Sequence, residues 1–116
     1  MRNWSVLLIS GRGLDPNEVN RVLNIKADKI RTNDIDGIIT WQLNSTLEGN
    51  ASLIEHIEDI LKRIYPVRKQ IYALSKKYQI SLVCNIDIEE SQRKIFIPPK
   101  YLIILGYIGA QLEIYL

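Results

Sequence analysis

The feature that most constrains the fold of this chain is the apolar repeat between Ser52 and Gln79. Apolar residues recur there alternately four and three positions apart, and this spacing places them on one face of a helix. They are Leu53, Ile57, Ile60, Ile64, Val67, Ile71, Leu74 and Tyr78. A second column makes this face wider than the seam of a coiled coil, and it consists of Ile54, Leu61, Tyr65 and Tyr72. The pattern predicts one long core helix that lies across a sheet.

Local signals predict the start of this helix and a bend within it. Ser52 and Glu55 have the spacing of a capping box, so the helix should begin after Ser52. Pro66 has no N–H to donate to the carbonyl of Lys62. Because the apolar stripe keeps its phase beyond Pro66, we expect a kink there and not the end of the helix.

Alternation and capping residues predict the other elements. The first strand is apolar on both faces, which is typical of an interior strand, and the later strands alternate apolar and polar residues. The predicted strands are Trp4–Ser10, Ile38–Leu43, Ile80–Ile88 and Ala110–Leu116, with short extended pieces around Ile30 and at Ile95–Ile97. The predicted short helices follow the Asp15–Pro16 cap as far as Asn24 and occupy Lys100–Ile108 between Pro98–Pro99 and Gly109.

This order of strands and helices predicts an α+β fold built as a single domain over residues 1–116. We expect a two-layer sandwich in which a four- to five-stranded, mostly antiparallel sheet carries its helices on one face. The arrangement resembles ferredoxin-like folds.

Composition excludes several classes of protein. The 15 basic and 13 acidic residues give a net charge of +2, which is too small to predict non-specific binding of nucleic acid. Cys84 is the only cysteine, so one chain forms neither a disulfide nor a thiolate metal cage. No apolar run approaches the roughly 20 residues that span a bilayer, and the first residues do not resemble a signal peptide. We expect a cytoplasmic protein without a membrane partner.

No group of residues forms a recognisable catalytic or metal site. His56 is the only histidine, and its helical column continues with Arg63, Gln70 and Lys77, which predicts a surface or boundary position. Cys84 belongs to the apolar set of its strand, so a buried, inert thiol is expected. The acidic residues after the first helix lack the spacing of a calcium loop and are typical of turns; they are Asp28, Asp34 and Asp36.

The Gly11-Arg12-Gly13 turn lacks the third glycine and the lysine of phosphate-binding loops, and Asp15 would repel phosphate. The sequence therefore predicts no enzyme, no metal and no cofactor.

Two surfaces are candidates for binding another protein. The helix Lys100–Ile108 is apolar all round, so either the long helix and the loop after Asn24 cover it, or a partner does. The outward sheet face is predicted to be mildly acidic, and it would steer a basic protein better than it would stack RNA bases. The candidate partner-binding residues are Tyr101, Ile104 and Ile108 on the helix and Asp87, Glu113 and Tyr115 on the sheet.

A set of short patterns extends over nearly the whole chain. They are Gly13-Leu14-Asp15-Pro16 with Val19 and Leu23, Trp41 with Leu43, Leu74 with Tyr78, Ile97-Pro98 with Leu102 and Leu105, and Gly109-Ala110 with Leu112, Ile114 and Tyr115. Through these residues the chain resembles an uncharacterised bacterial family of domains of unknown function. Some small cytoplasmic proteins of such families are encoded beside secreted toxins. The resemblance therefore implies an immunity or accessory role and supplies no catalytic residues.

Two functions from different classes remain open. The first is a non-enzymatic protein-binding domain, specifically an immunity protein that neutralises a cognate bacterial toxin by direct binding. The second is a small-molecule-binding regulatory domain that forms a homodimer through Tyr101–Ile108. An enzyme ranks third, and it would have to use His56.

Overall fold

The computed structural model describes residues 3–87 and 94–116, which contain five strands and four α-helices. The strands are β1 (Trp4–Arg12), β2 (Lys29–Thr32), β3 (Ile38–Asn44), β4 (Gln79–Asn85) and β5 (Ala110–Tyr115). The helices are α1 (Pro16–Leu23), α2 (Leu53–Ile64), α3 (Arg68–Leu74) and α4 (Pro99–Tyr107). None of the helices in these residues is both long and apolar enough to cross a membrane.

The strands form one sheet in the order β2-β3-β1-β4-β5. All neighbours are antiparallel except β4 and β5, which are parallel and joined through α4. The elements from β1 to β4 form the β-α-β-β-α-β arrangement of ferredoxin-like folds, and α4 and β5 extend it at one side. The predicted α+β fold, with its five-stranded and mostly antiparallel sheet, is confirmed.

The first helix follows its predicted capping signals. The carboxylate of Asp15 accepts a hydrogen bond from the N–H of Asn17 at 3.0 Å, and Pro16 occupies the first turn. Asn24 ends the helix with a left-handed backbone, at φ 53°. Asn20 projects from the last turn, where its side-chain oxygen accepts from the indole N–H of Trp41 at 2.7 Å and from the N–H of Ala27 at 3.0 Å. One amide thus joins α1, β3 and the loop between α1 and β2.

The prediction of one long helix with a kink is wrong. The α-helical hydrogen bonds stop at Ile64, a 3₁₀ turn over Tyr65–Val67 contains Pro66, and α3 ends at Leu74. Because proline lacks an N–H and its ring meets the carbonyl four residues earlier, the backbone tightens into the 3₁₀ turn. The apolar stripe is nevertheless placed as predicted, since all eight of its residues belong to the core or pack against it.

Other boundaries differ less from the sequence prediction. The extended piece around Ile30 is the strand β2, whereas Ile95–Ile97 belongs to no strand. The predicted end of the fourth strand at Ile88 and most of the charged turn lie outside the described residues. Gly109 takes a left-handed backbone at φ 73° after α4, as its predicted role as a cap requires.

The core lies between the helices and one face of the sheet. The strands contribute their alternate residues to it, among them Leu7, Ile9, Trp41, Leu43 and Leu82, each fully buried. Within the described residues, none of the four helices packs on the opposite face, which we call the open face. The open face is therefore the part of the sheet that is free to contact another molecule.

Candidate functional site

The open face is assembled by the register of the five strands. Val6 of β1 lies between Asn44 of β3 and Val83 of β4, and Glu113 of β5 follows in the same row. The neighbouring row contains Lys29, Gln42, Leu8, Ser81 and Gln111. The first row runs from β3 to β5 and the second from β2 to β5, so an apolar residue of β1 lies inside each row, with Glu113 at one edge of the sheet and Lys29 at the other.

These rows line a concavity of about 590 Å³. Its apolar part comes from Val6, Leu8 and Val83, with Trp4 at one end. Trp4 is 41% exposed and Tyr115 is 56% exposed, so two aromatic rings remain open to solvent beside this apolar surface. Tryptophan, tyrosine and arginine are the residues that most often dominate binding energy at protein interfaces.

Charge is distributed unevenly around the concavity. Lys29 and Arg31 of β2 line one side, and Glu113 of β5 lines the other. The Glu113 carboxylate accepts hydrogen bonds from the Gln111 amide at 2.6 Å and from the Tyr115 hydroxyl at 3.2 Å. The carboxylate is therefore held along its own strand, and the two cations lie at the opposite edge of the concavity.

The expectation of a mildly acidic face is wrong. Asp87 lies two residues beyond the end of β4, and its N–H donates to the side-chain oxygen of Asn3 at 2.8 Å. Lys29 and Arg31, which the sequence left in a loop, instead join the face through their pairing with Gln42 and Thr40. Two cations against one carboxylate give this concavity a positive balance.

The helix α4 is only partly available to a partner. Tyr101, Leu105 and Ile108 recur on one side of α4 and lie in the core, so Tyr101 and Ile108 cannot form the predicted partner-binding surface. Ile104 is half-buried and lines a cavity of about 190 Å³ against α2. The apolar residues that α4 exposes are Leu102, Ile103 and Tyr107, with Ile103 the most exposed at 71%. A partner of α4 would contact these three side chains.

A polar contact holds α4 to α2. The Tyr101 hydroxyl donates to the Glu58 carboxylate at 2.5 Å. This hydrogen bond stabilises the charged carboxylate and lowers the pKa of Glu58 below its usual value, with the charge of Lys62 adding to the effect. The same bond stabilises the neutral phenol, so the pKa of Tyr101 is raised. The hydroxyl of Tyr101 thus connects α4 to α2.

The predicted surface or boundary position of His56 is also wrong. His56 is 1% exposed, and its Nδ1 atom shares a hydrogen bond with the hydroxyl of Ser45. Two neighbours in its helical column make similar contacts: Asp59 accepts from the N–H of Thr46 at 2.8 Å, and Arg63 donates to the carbonyl of Asn44 at 2.8 Å. The first half of this column therefore clamps the residues that follow β3. The charged residues Arg63 and Lys77 suggested that this column faces solvent. Helical spacing alone does not reveal that the segment after β3 crosses the column.

Ser45 and His56 have the residue types of a nucleophile and a base, and Ser45 borders the concavity. The Nε2 atom of His56 is buried and has no hydrogen-bond partner among the described residues. Within the described residues, the contact between Ser45 and His56 joins the segment after β3 to α2.

The remaining candidates have structural roles. Cys84 is buried, as predicted, and its sulfur lies 3.4 Å from the Ser5 hydroxyl; burial raises the pKa of this thiol. Asp36 accepts from the N–H of Ile38 at 2.9 Å in the turn before β3, and Asp28 accepts from the N–H of Asn44 at 2.7 Å. The described residues contain no cluster of three or more histidine, cysteine or acidic side chains that would hold a metal.

Comparison with known proteins gives a family for this fold. The model of the family described as "Domain of unknown function (DUF4279)" matches residues 3–116, which is nearly the whole chain. The chain belongs to the DUF4279 family. No curated protein and no solved structure matches it. Membership in DUF4279 confirms the expectation of a domain of unknown function and brings no catalytic residue, ligand or partner with it.

Sequence reasoning identified part of the open face and missed its strongest features. Glu113 and Tyr115 were predicted from the alternation of the last strand. Trp4 was missed because β1 is apolar on both faces and alternation alone does not say which face the helices cover. Lys29 and Arg31 alternate with Ile30 and Thr32 over only four residues, which is too short a pattern to distinguish β2 from a loop.

Proposed function

We propose that this chain is a non-enzymatic protein-binding domain that contacts its partner through the open face of the sheet. The observation that supports this proposal is the exposed pair Trp4 and Tyr115 beside an apolar surface, with Lys29 and Arg31 at the opposite edge. Apolar and aromatic residues at the centre with charged residues at the rim are typical of protein interfaces. The balance of charge favours a partner surface that presents carboxylates.

The narrower form of the proposal is an immunity protein that covers the active site of a bacterial toxin. The basic toxin suggested by an acidic sheet face is no longer the best match, because Lys29 and Arg31 outnumber Glu113 at the concavity. A toxin whose catalytic cleft is lined by carboxylates would complement these cations. This narrower proposal is supported by the small size of the domain, by its membership in a family of unknown function and by the positive charge of the open face.

The test begins with cells of the source organism that produce the full chain carrying a photo-crosslinker. One variant has the crosslinker at Gln42 on the open face, and its control has it at Lys69, an exposed position in α3. A protein that crosslinks at Gln42 alone is then purified, and its Kd for the chain is measured by calorimetry. Equal crosslinking at both positions, or at Lys69 alone, contradicts the proposal.

Matched charge reversals make the second step quantitative. We expect Arg31→Glu to weaken binding by about 10-fold or more and to remove much of its salt dependence, whereas Lys69→Glu leaves the Kd unchanged. Trp4→Ser should weaken binding without altering the salt dependence. If the partner is a toxin, co-production of the chain protects cells and Arg31→Glu reduces that protection. An unchanged Kd for both open-face variants would refute the proposed surface.

A second candidate function rests on the size of the same concavity. A volume of about 590 Å³ falls within the range of small-molecule sites, so a regulatory domain that binds a metabolite is the alternative. An anionic ligand would suit Lys29 and Arg31. A rise in melting temperature with a panel of anionic metabolites, lost in Arg31→Glu and retained in Lys69→Glu, would favour this function over the first.

A further inference from the structure

The two edges of the sheet are unequally protected against pairing with another strand. The edge strand β2 has only four residues, all exposed, and two of them are Lys29 and Arg31. Short length and charge are the usual means by which edge strands avoid association. The other edge strand, β5, has six residues and a single charge, Glu113. In the part of the chain that the structure describes, β5 pairs with β4 alone.

The backbone direction of β5 shows which groups are free. The N–H of Ile86 donates to the carbonyl of Tyr115 at 3.0 Å, so the backbone groups of Tyr115 point toward β4. Because backbone groups alternate sides along a strand, those of Ala110, Leu112 and Ile114 point away from β4. Three residues of β5 therefore present both an N–H and a carbonyl at the outer edge.

We propose that β5 pairs antiparallel with β5 of a second copy of this chain, with Leu112 of each copy at the two-fold axis. This pairing does not depend on the proposed partner site, although Glu113 and Tyr115 of β5 also line the concavity of that site. It sets Leu112 opposite Leu112 and Ala110 opposite Ile114, and these three hydrogen-bonded pairs use the free groups of both strands. The result is one continuous sheet of two copies, joined by about six backbone hydrogen bonds.

Side chains select this register over its neighbours. On the open face it places Gln111 opposite Glu113 of the other copy, twice by symmetry, so an amide donor meets a carboxylate at the close, non-hydrogen-bonded positions. A register centred on Glu113 would set two carboxylates opposite each other, which destabilises a pair of strands. A register centred on Ile114 would pair only the last half of β5.

The exposed side of α4 lies next to this edge. Tyr101 and Ile104 face α2, and the ring of Tyr107 contacts that of Tyr72 in α3 with centroids 6.1 Å apart. Leu102 and Gly106, four residues apart, therefore lie on the side of α4 that faces away from α2 and α3. In the proposed dimer the two α4 helices approach each other there, and burial of Leu102, 47% exposed in the monomer, adds to the pairing of the strands.

Analytical ultracentrifugation of the full chain over a range of concentrations is the first test. We expect a reversible monomer–dimer equilibrium. Gln111→Lys should lower the dimer Kd and Gln111→Glu should raise it, each by about 3- to 30-fold, because two symmetric cross-strand pairs change together. The double variant Gln111→Glu with Glu113→Gln exchanges the two side chains and should restore the original Kd. A chain that stays monomeric up to its solubility limit overturns the proposal.

Two controls separate the edge from other surfaces. Gly106→Leu is compatible with the monomer, since a Cβ at Gly106 meets no atom within 4 Å, and it should weaken the dimer by separating the helices. Gln42→Glu changes the charge of the open face far from β5 and should leave the Kd unchanged. A dimer that responds to Gln42→Glu but not to the Gln111 variants would place the contact on the open face and overturn the pairing of β5.

Discussion

Leu7 and Leu8 are neighbours in β1 that lie on opposite faces of the sheet. Leu7 is fully buried beneath the helices, whereas Leu8 lines the concavity of the open face and is only half-buried. The central strand is thus apolar on both faces although only one face has a helical cover. An apolar side chain in this strand therefore contributes to the packed core on one face, and on the other face it is available for the proposed recognition of a partner.

The sharpest test of this difference is the matched pair Leu7→Ala and Leu8→Ala. We expect Leu7→Ala to lower the free energy of unfolding by about 3–4 kcal/mol, because it leaves a cavity in a close-packed core. Leu8→Ala should cost about 1 kcal/mol, since its surface is already partly hydrated. Urea unfolding monitored by circular dichroism measures both. Equal losses would show that the open face is as well packed as the covered one.

We expect the next largest loss in the free energy of unfolding when a polar contact on the covered face is removed. Asn20→Ala leaves the buried indole N–H of Trp41 and the N–H of Ala27 without their acceptor, so we expect a loss of about 2 kcal/mol. Asn17→Ala, an exposed asparagine in the same helix, is the control and should be close to neutral. A neutral Asn20→Ala would mean that the covered face depends on apolar packing alone.

The clamp after β3 is expected to have a smaller effect. Ser45→Ala removes the hydrogen bond to the buried His56 ring and should lower the free energy of unfolding by about 1 kcal/mol. Ser10→Ala changes a half-buried serine on the open face and should cost less. Chemical unfolding measures the loss of stability in both variants. A larger loss for Ser10→Ala than for Ser45→Ala would contradict the prediction.

The smallest expected effect depends on pH and concerns the contact between α4 and α2. The pKa of Glu58 is lowered from 4.5, so its contribution is present above pH 4.5 and is lost as the pH falls through the folded value. The pKa of Tyr101 is raised from 10.0, so its contribution is present below pH 10.0 and is lost as the pH rises through the folded value.

Tyr101→Phe should therefore be less stable than the original chain between pH 4.5 and pH 10.0, and the difference should shrink at both ends of that window. Melting temperatures of the two proteins across the pH range measure this difference. Because only the original chain has the hydrogen bond between Tyr101 and Glu58, we expect it to have the higher melting temperature. A difference that stays constant with pH would indicate that packing of the ring, and not this bond, holds α4 in place.

Local patterns were sufficient for much of this fold. The stripe from Leu53 to Tyr78 and the cap at Asp15 depend on residues close in sequence, and both predictions are confirmed. The position of His56 depends on residues 44–46, which reach it only after β3 has joined the sheet. Helical spacing places His56 on a flank of α2 and contains no information about that crossing.

The candidate site was harder to predict for a related reason. The open face combines residues of all five strands, and its charge is set by which edge strand carries Lys29 and Arg31. Strand order is a property of the whole sheet that no short pattern in this sequence specifies. The interruption at Pro66 had a local cause, but the continuous apolar stripe on both sides of it concealed the break.

The position of β1 affects the order in which this chain folds during synthesis. β1 is made first, yet it lies between β3 and β4, and its partners on the β4 side extend to Asn85. Until those residues leave the ribosome, one side of β1 has no strand to pair with, and Leu7 and Leu8 remain exposed together. Pairing across so many residues is slow. Among the described strands, the one at the middle of the finished sheet is thus the one with the longest stretch of chain between itself and its last pairing partner.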